Sequence, residues 1–144
     1  MINPGLIYLI SSLALYFMKE EWRKNFALIA AVVAGIAVFS LPQDYIFRLP
    51  FLDFELILVE VTKVNQFIAY IFVFFSIASI IYGTDLLNRR DYFLSYFYIG
   101  SSLAIIFVGD FFSFYIAWEL MTISSYFLIF NNNKELTGKA SYYY

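Results

Sequence analysis

The sequence contains no cysteine and no histidine. Disulfides, thiolate nucleophiles, Cys/His zinc or iron–sulfur sites and His-ligated haem are therefore excluded. A Ser-His-Asp site and a histidine proton relay go with them. Charge is scarce as well, at 14% of 144 residues, against about 25% in a soluble domain. Lys+Arg is 9 and Asp+Glu is 11. With no basic stripe among them, a nucleic-acid partner is not expected. No quinone, flavin, metal or nucleotide motif is present, so no cofactor is expected. Carboxylates, lysines, hydroxyls and phenols are what the chain has for chemistry. Without His or Cys, most of the usual catalytic constellations cannot be built.

What is abundant is apolar surface: 62% hydrophobic and 23% aromatic residues. A sphere of this size cannot hide that much from water, and a disordered chain would not carry it. The composition points to an integral membrane protein in a lipid bilayer. Five apolar runs stand out, at 2–18, 25–42, 66–84, 92–109 and 111–130. Each is long enough to span as a helix, the first two barely. Backbone groups in lipid must satisfy one another, so the runs are expected to be helices. None alternates like an outer-membrane barrel strand. The expected fold is one all-α membrane domain over 1–144 with five spans.

The first run lacks a basic leader, and its charges follow it, so it is read as a retained helix rather than a signal peptide. Residues 19–24 are expected to link the first two spans, with Trp22 as an interfacial anchor. The one long connection, 43–65, carries Pro50, Asp53, Glu55 and then Ile57-Leu-Val-Glu60-Val. Its alternation and β-branched residues predict two short extended segments, a hairpin on the membrane surface. Asp110 alone separates the last two runs and is expected to cap a helix. Small residues at 30–35, Ser101-Ser102 and Ser124-Ser125 are expected at helix contacts. After Phe130 comes a polar turn, and 139–144 resembles the first turn of a sixth helix. Lys19, Arg23, Lys24, Arg89, Arg90, Lys134 and Lys139 fall on one side, against Arg48 and Lys63 on the other. That bias predicts an N-terminus outside and a C-terminus in the cytoplasm, in the inner or plasma membrane.

Of all the charged residues, one lies inside a run: Glu119, near the middle of the fifth. A charge there costs on the order of 2.5–3.5 kcal/mol. Tyr115, Glu119, Thr122 and Tyr126 are spaced 4, 3 and 4 and share a helix face. Two phenols and a hydroxyl beside a carboxyl group are the parts of a proton relay. A cation about 4 Å away, at an effective dielectric near 20, interacts with a carboxylate by about 4 kcal/mol. Its approach or departure would switch the acid between releasing and binding a proton. The alternative is a neutral acid that hydrogen-bonds a neighbouring helix and holds an interface.

The stretch 108–129, with Asp110, Trp118-Glu119, Ser125 and Tyr126, resembles the fifth helix of a known membrane family. These are the antiporter-like subunits of respiratory complex I, Mrp-type cation/proton antiporters and membrane-bound hydrogenases. The opening is similar too: two helices, an extended segment with Pro50-Phe-Leu, then a third helix. The resemblance covers nearly all of this chain but only about the N-terminal third of the family's length. It implies that Glu119 belongs to a half-channel and pairs with a lysine on a later helix. All five lysines here lie outside the runs, so that lysine is expected from another chain. The implied function is a subunit of a complex that moves H+ or exchanges Na+ for H+, with other membrane subunits as partners. The alternative is a truncated relative acting as a helical scaffold of the membrane arm. A split subunit and a fragment of a longer reading frame are both compatible with the abrupt end.

Overall fold

A computed structural model describes residues 3–51, 54–83 and 87–130. The expected polar turn after Phe130, the start of a sixth helix, and Lys134 and Lys139 lie outside the described residues, as does Asp53.

Five helices and one hairpin follow in the order α1 (Gly5–Phe17), α2 (Glu20–Phe39), β1 (Ile46–Phe51), β2 (Phe54–Glu60), α3 (Lys63–Gly83), α4 (Arg89–Phe107) and α5 (Phe111–Phe130). Three of them, α2, α3 and α5, are long and apolar enough to cross a membrane. The other two depart from the five-span expectation for different reasons. The 13 residues of α1 reach about 20 Å at 1.5 Å per residue, short of a hydrocarbon core of about 30 Å. The problem with α4 is polarity: it opens Arg89-Arg90-Asp91 and is rich in Tyr and Ser. That polarity has a place to go, because α4 packs against α1, α3 and α5. Tyr92, Tyr96, Ser101 and Leu103 are all buried in it.

The connection between the first two helices also differs from expectation. Glu20, Glu21, Arg23 and Lys24 belong to α2 rather than to a linker, leaving Met18 and Lys19 between the helices. Two acids in the first turn suit the positive end of the helix dipole. Arg23 is consequently buried, although its charge marks a membrane edge in the sequence. Its Nη2 donates to the Met18 carbonyl at 3.0 Å, and its guanidinium lies 5.9 Å from the Tyr92 ring.

Contacts between helices combine close backbone approach with a few buried hydroxyl bonds. A Cβ on Gly5 would collide with the backbone of Gly100 and Ala104, so α1 and α4 touch main chain to main chain. Ala27, Ala30, Ala31 and Ala34 of α2 are buried, and a Cβ on Gly35 would lie 3.0 Å from Val73 of α3. The Tyr8 hydroxyl bonds Ser76 Oγ at 2.7 Å, joining α1 to α3. The Tyr96 hydroxyl donates to the Ala27 carbonyl at 2.6 Å, joining α4 to α2. One buried cluster runs through α1 to α4. Against this cluster α5 is peripheral: it packs on α4 and touches β2.

The hairpin expected around Pro50 is present. β1 and β2 are antiparallel, with Ile46 opposite Glu60 and Phe51 opposite Phe54. Asp44, just before β1, takes a positive φ of 59°, a conformation Asp tolerates better than most residues. The pairing skips Leu58, so β2 bulges there. A bulge frees backbone groups from the ladder, and here they tie the hairpin to the helices.

Candidate functional site

Because α5 buries Ser113, Ala117, Ser124 and Ser125 against its neighbours, its opposite side is left open. Glu119 lies on that side and is exposed in this chain. Tyr115, one turn earlier, is also exposed, and its hydroxyl interacts with the Glu119 carboxyl side chain to side chain. The other two residues of the face are engaged elsewhere. Thr122 Oγ1 donates to the Trp118 carbonyl at 3.0 Å, and the Tyr126 ring stacks on Phe130 at 5.9 Å. Of the residues sharing that face, Tyr115 is the one brought to Glu119, and among the described residues no lysine is paired with it. Trp118, half exposed, stands beside Phe114, with ring centroids 6.2 Å apart.

The start of α5 is fixed by Asp110. Its Oδ1 accepts from the Ser113 N–H at 2.8 Å, an N-cap bond. Its Oδ2 accepts from the Ile57 N–H at 2.7 Å. The adjacent Gly109 N–H donates to the Ile57 carbonyl at 2.9 Å. The bend between α4 and α5 is thereby hydrogen-bonded to the hairpin, and Gly109 leaves no room for a side chain against Ile57 and Glu60. Burial alone would raise the Asp110 carboxyl; the N–H donors of Ser113, Ile57 and Phe112 outweigh it and hold the group below its ordinary value of 3.8.

One anchoring residue escaped the sequence reading. Asn3 is buried, and its Nδ2 donates to the Leu58 carbonyl at the bulge (3.0 Å) and to the Ala104 carbonyl of α4 (3.2 Å). Its Oδ1 accepts from the Gly5 N–H at 2.9 Å, at the start of α1. The single signal in the sequence is Asn-Pro-Gly ahead of an apolar run, which says helix start and nothing about a hairpin far along the chain.

No protein-family model and no curated protein matches the sequence. Its backbone does match a solved structure at a TM-score of 0.84. That structure is of the membrane-bound sulfane sulfur reductase, an archaeal respiratory membrane complex. The fold is shared with a chain of that complex. The two chains are 16% identical, and the match covers 97% of this chain but 24% of the other. At that identity the likeness is one of fold.

Proposed function

We propose that this chain is a subunit of a respiratory-type membrane complex that moves H+ or exchanges Na+ for H+. Glu119 contributes the carboxyl group of an antiporter-like half-channel, and its lysine comes from helices outside this chain. All five helices span, with the short α1 and the polar α4 enclosed by their neighbours and by other subunits. Lys19, Arg23, Lys24, Arg89 and Arg90 sit at the cytoplasmic end, and the hairpin sits outside.

One observation carries the reading. Glu119 stands mid-helix on α5, exposed on the side turned away from α4. Facing lipid there would cost on the order of 2.5–3.5 kcal/mol, so a polar partner belongs against it. The shared fold with a chain of a respiratory membrane complex, four times as long, supports further helices as that partner. The Trp118-Glu119 motif supplies the link to antiporter-like subunits.

The test is Glu119→Gln in the intact complex, reconstituted in vesicles with a pH-sensitive dye. Loss of most proton movement, with assembly unchanged on a native gel, is expected. Full transport by Glu119→Gln together with failed assembly by Glu119→Leu would instead assign a scaffold role.

A further inference from the structure

Where α2 and α4 begin, a polar cavity of about 380 Å³ lies between Glu20, Glu21 and Arg23 of α2 and Leu87, Asn88 and Tyr92 around the start of α4. Its charges are laid out by depth. Arg23 is 3% exposed, whereas the Glu20 side chain is 87% exposed and Glu21 is exposed too. Lys24 also lines the cavity and is engaged in an interaction of its own. We propose that this cavity takes the head group of a zwitterionic phospholipid, phosphatidylethanolamine, with its phosphate on Arg23 and its ammonium on Glu20 and Glu21.

The buried guanidinium is short of acceptors. Its Nη2 donates to the Met18 carbonyl at 3.0 Å. The Glu20 carboxylate stands 3.9 Å from Nη1, beyond hydrogen-bonding reach, and Nε is buried with no partner. A buried charge in that condition is costly until a second anion meets it. Guanidinium offers its donors as planar forks, which fit a phosphate. Independently, α2 begins here without a side-chain cap, and the positive end of a helix favours an anion. The rim selects among anions. Two exposed carboxylates repel one that arrives without a cation of its own. Ethanolamine supplies that cation with N–H donors, where choline has no donor and glycerol no charge. The proposal rests on the membrane placement above and not on the role of Glu119.

The test puts the full chain in nanodiscs holding equal phosphatidylethanolamine and phosphatidylglycerol, and reads the retained lipid by native mass spectrometry. Wild type is expected to retain one phosphatidylethanolamine in preference to phosphatidylglycerol. E20Q/E21Q is expected to keep a phospholipid but to narrow that preference about fivefold, the weight of an exposed ion pair at the top of its usual range. R23Q is expected to weaken retention of both lipids at least about tenfold, as loss of a hydrogen bond to a charged group does. K19Q removes a charge next to Glu20 but outside the cavity wall, and is expected to change neither. Equal retention of the two lipids by wild type overturns the proposal. So does an unchanged preference in E20Q/E21Q, unchanged retention in R23Q, or equal loss in K19Q. Should R23Q fail to fold, E20Q/E21Q decides alone, since both glutamates are exposed. Inorganic phosphate bound by the delipidated chain as tightly as the lipid would make this a site for free phosphate and overturn the lipid. A cross-link that seats an acidic segment of another subunit in the cavity would overturn it as well. Failure of the membrane placement itself would show earlier, as chain absent from the membrane fraction.

Discussion

The two carboxylate oxygens of Asp110 answer two different N–H groups, one on its own helix and one on the hairpin. Removing them unties both at once. Asp110→Ala is expected to lower stability by about 1–2 kcal/mol, the upper part of the range for losing a helix cap. Thermal unfolding in mild detergent would show it. The sign of the pH dependence follows from a carboxyl group held below its ordinary value in the fold. Its contribution is fully present above the unfolded carboxylate value, about 3.9, and is lost as pH falls through the lower folded value. The gap between wild type and Asp110→Asn should therefore hold steady through neutral pH and shrink only below about pH 4. A gap that closes near pH 6 would mean another group is responsible. The N-cap was legible in the sequence because an acid stood alone between two apolar runs. The second bond was not, since nothing local to Asp110 points to Ile57.

Between elements, the closest contact is that of α1 with α4, and glycine makes it possible. Gly5→Ala would drive a methyl group into the main chain of Gly100 and Ala104, which cannot swing aside as a side chain can. Separating the helices is expected to cost about 1–3 kcal/mol, as overpacking does. The Tyr8–Ser76 bond, between α1 and α3, would be strained with it. Gly35→Ala meets a single methyl of Val73 at 3.0 Å and should cost less than half as much in the same unfolding measurement. Comparable losses for the two would show that the α1–α4 approach is not tighter than α2–α3. These contacts also explain what the sequence could and could not reveal about the elements. Hydrophobic runs located all five helices, and alternation with β-branched residues located the hairpin, because a long apolar run and a period-two pattern favour different backbones. Helix ends were misjudged where charge was taken to mean an edge. Glu20, Glu21 and Arg23 are charged and helical, and Arg23 is buried by folding back on the Met18 carbonyl and the Tyr92 ring. Lipid-scale apolarity was likewise a poor guide to α4, which is surrounded by protein and can carry Tyr96 and Ser101 inside.

For the whole molecule, the asymmetry of α5 is the feature that asks for a partner. Four helices share one buried cluster, while α5 offers it a small-residue strip and turns Tyr115, Ile116, Glu119 and Ile123 outward. Apolar residues on that side would be content in lipid, and Glu119 would not. Ile123 lies one turn after Glu119, on the same side of the helix, and is 49% exposed. A photoreactive phenylalanine analogue at Ile123, illuminated in native membranes, is therefore expected to form adducts with a second polypeptide or with helices beyond those described. The same analogue at Phe74, exposed on α3 and with no charge within a turn of it, should give mainly lipid adducts. If position 123 also yields lipid alone, the Glu119 side faces the bilayer, and no half-channel can be assembled on it. If both positions yield protein, the bundle is enclosed on several sides, and the direction of the Glu119 partner has to be taken from the mass of the cross-linked product. The expected contrast between the two positions depends on α5 packing by one side only. It separates a chain completed by neighbours at Glu119 from one that merely crosses the membrane.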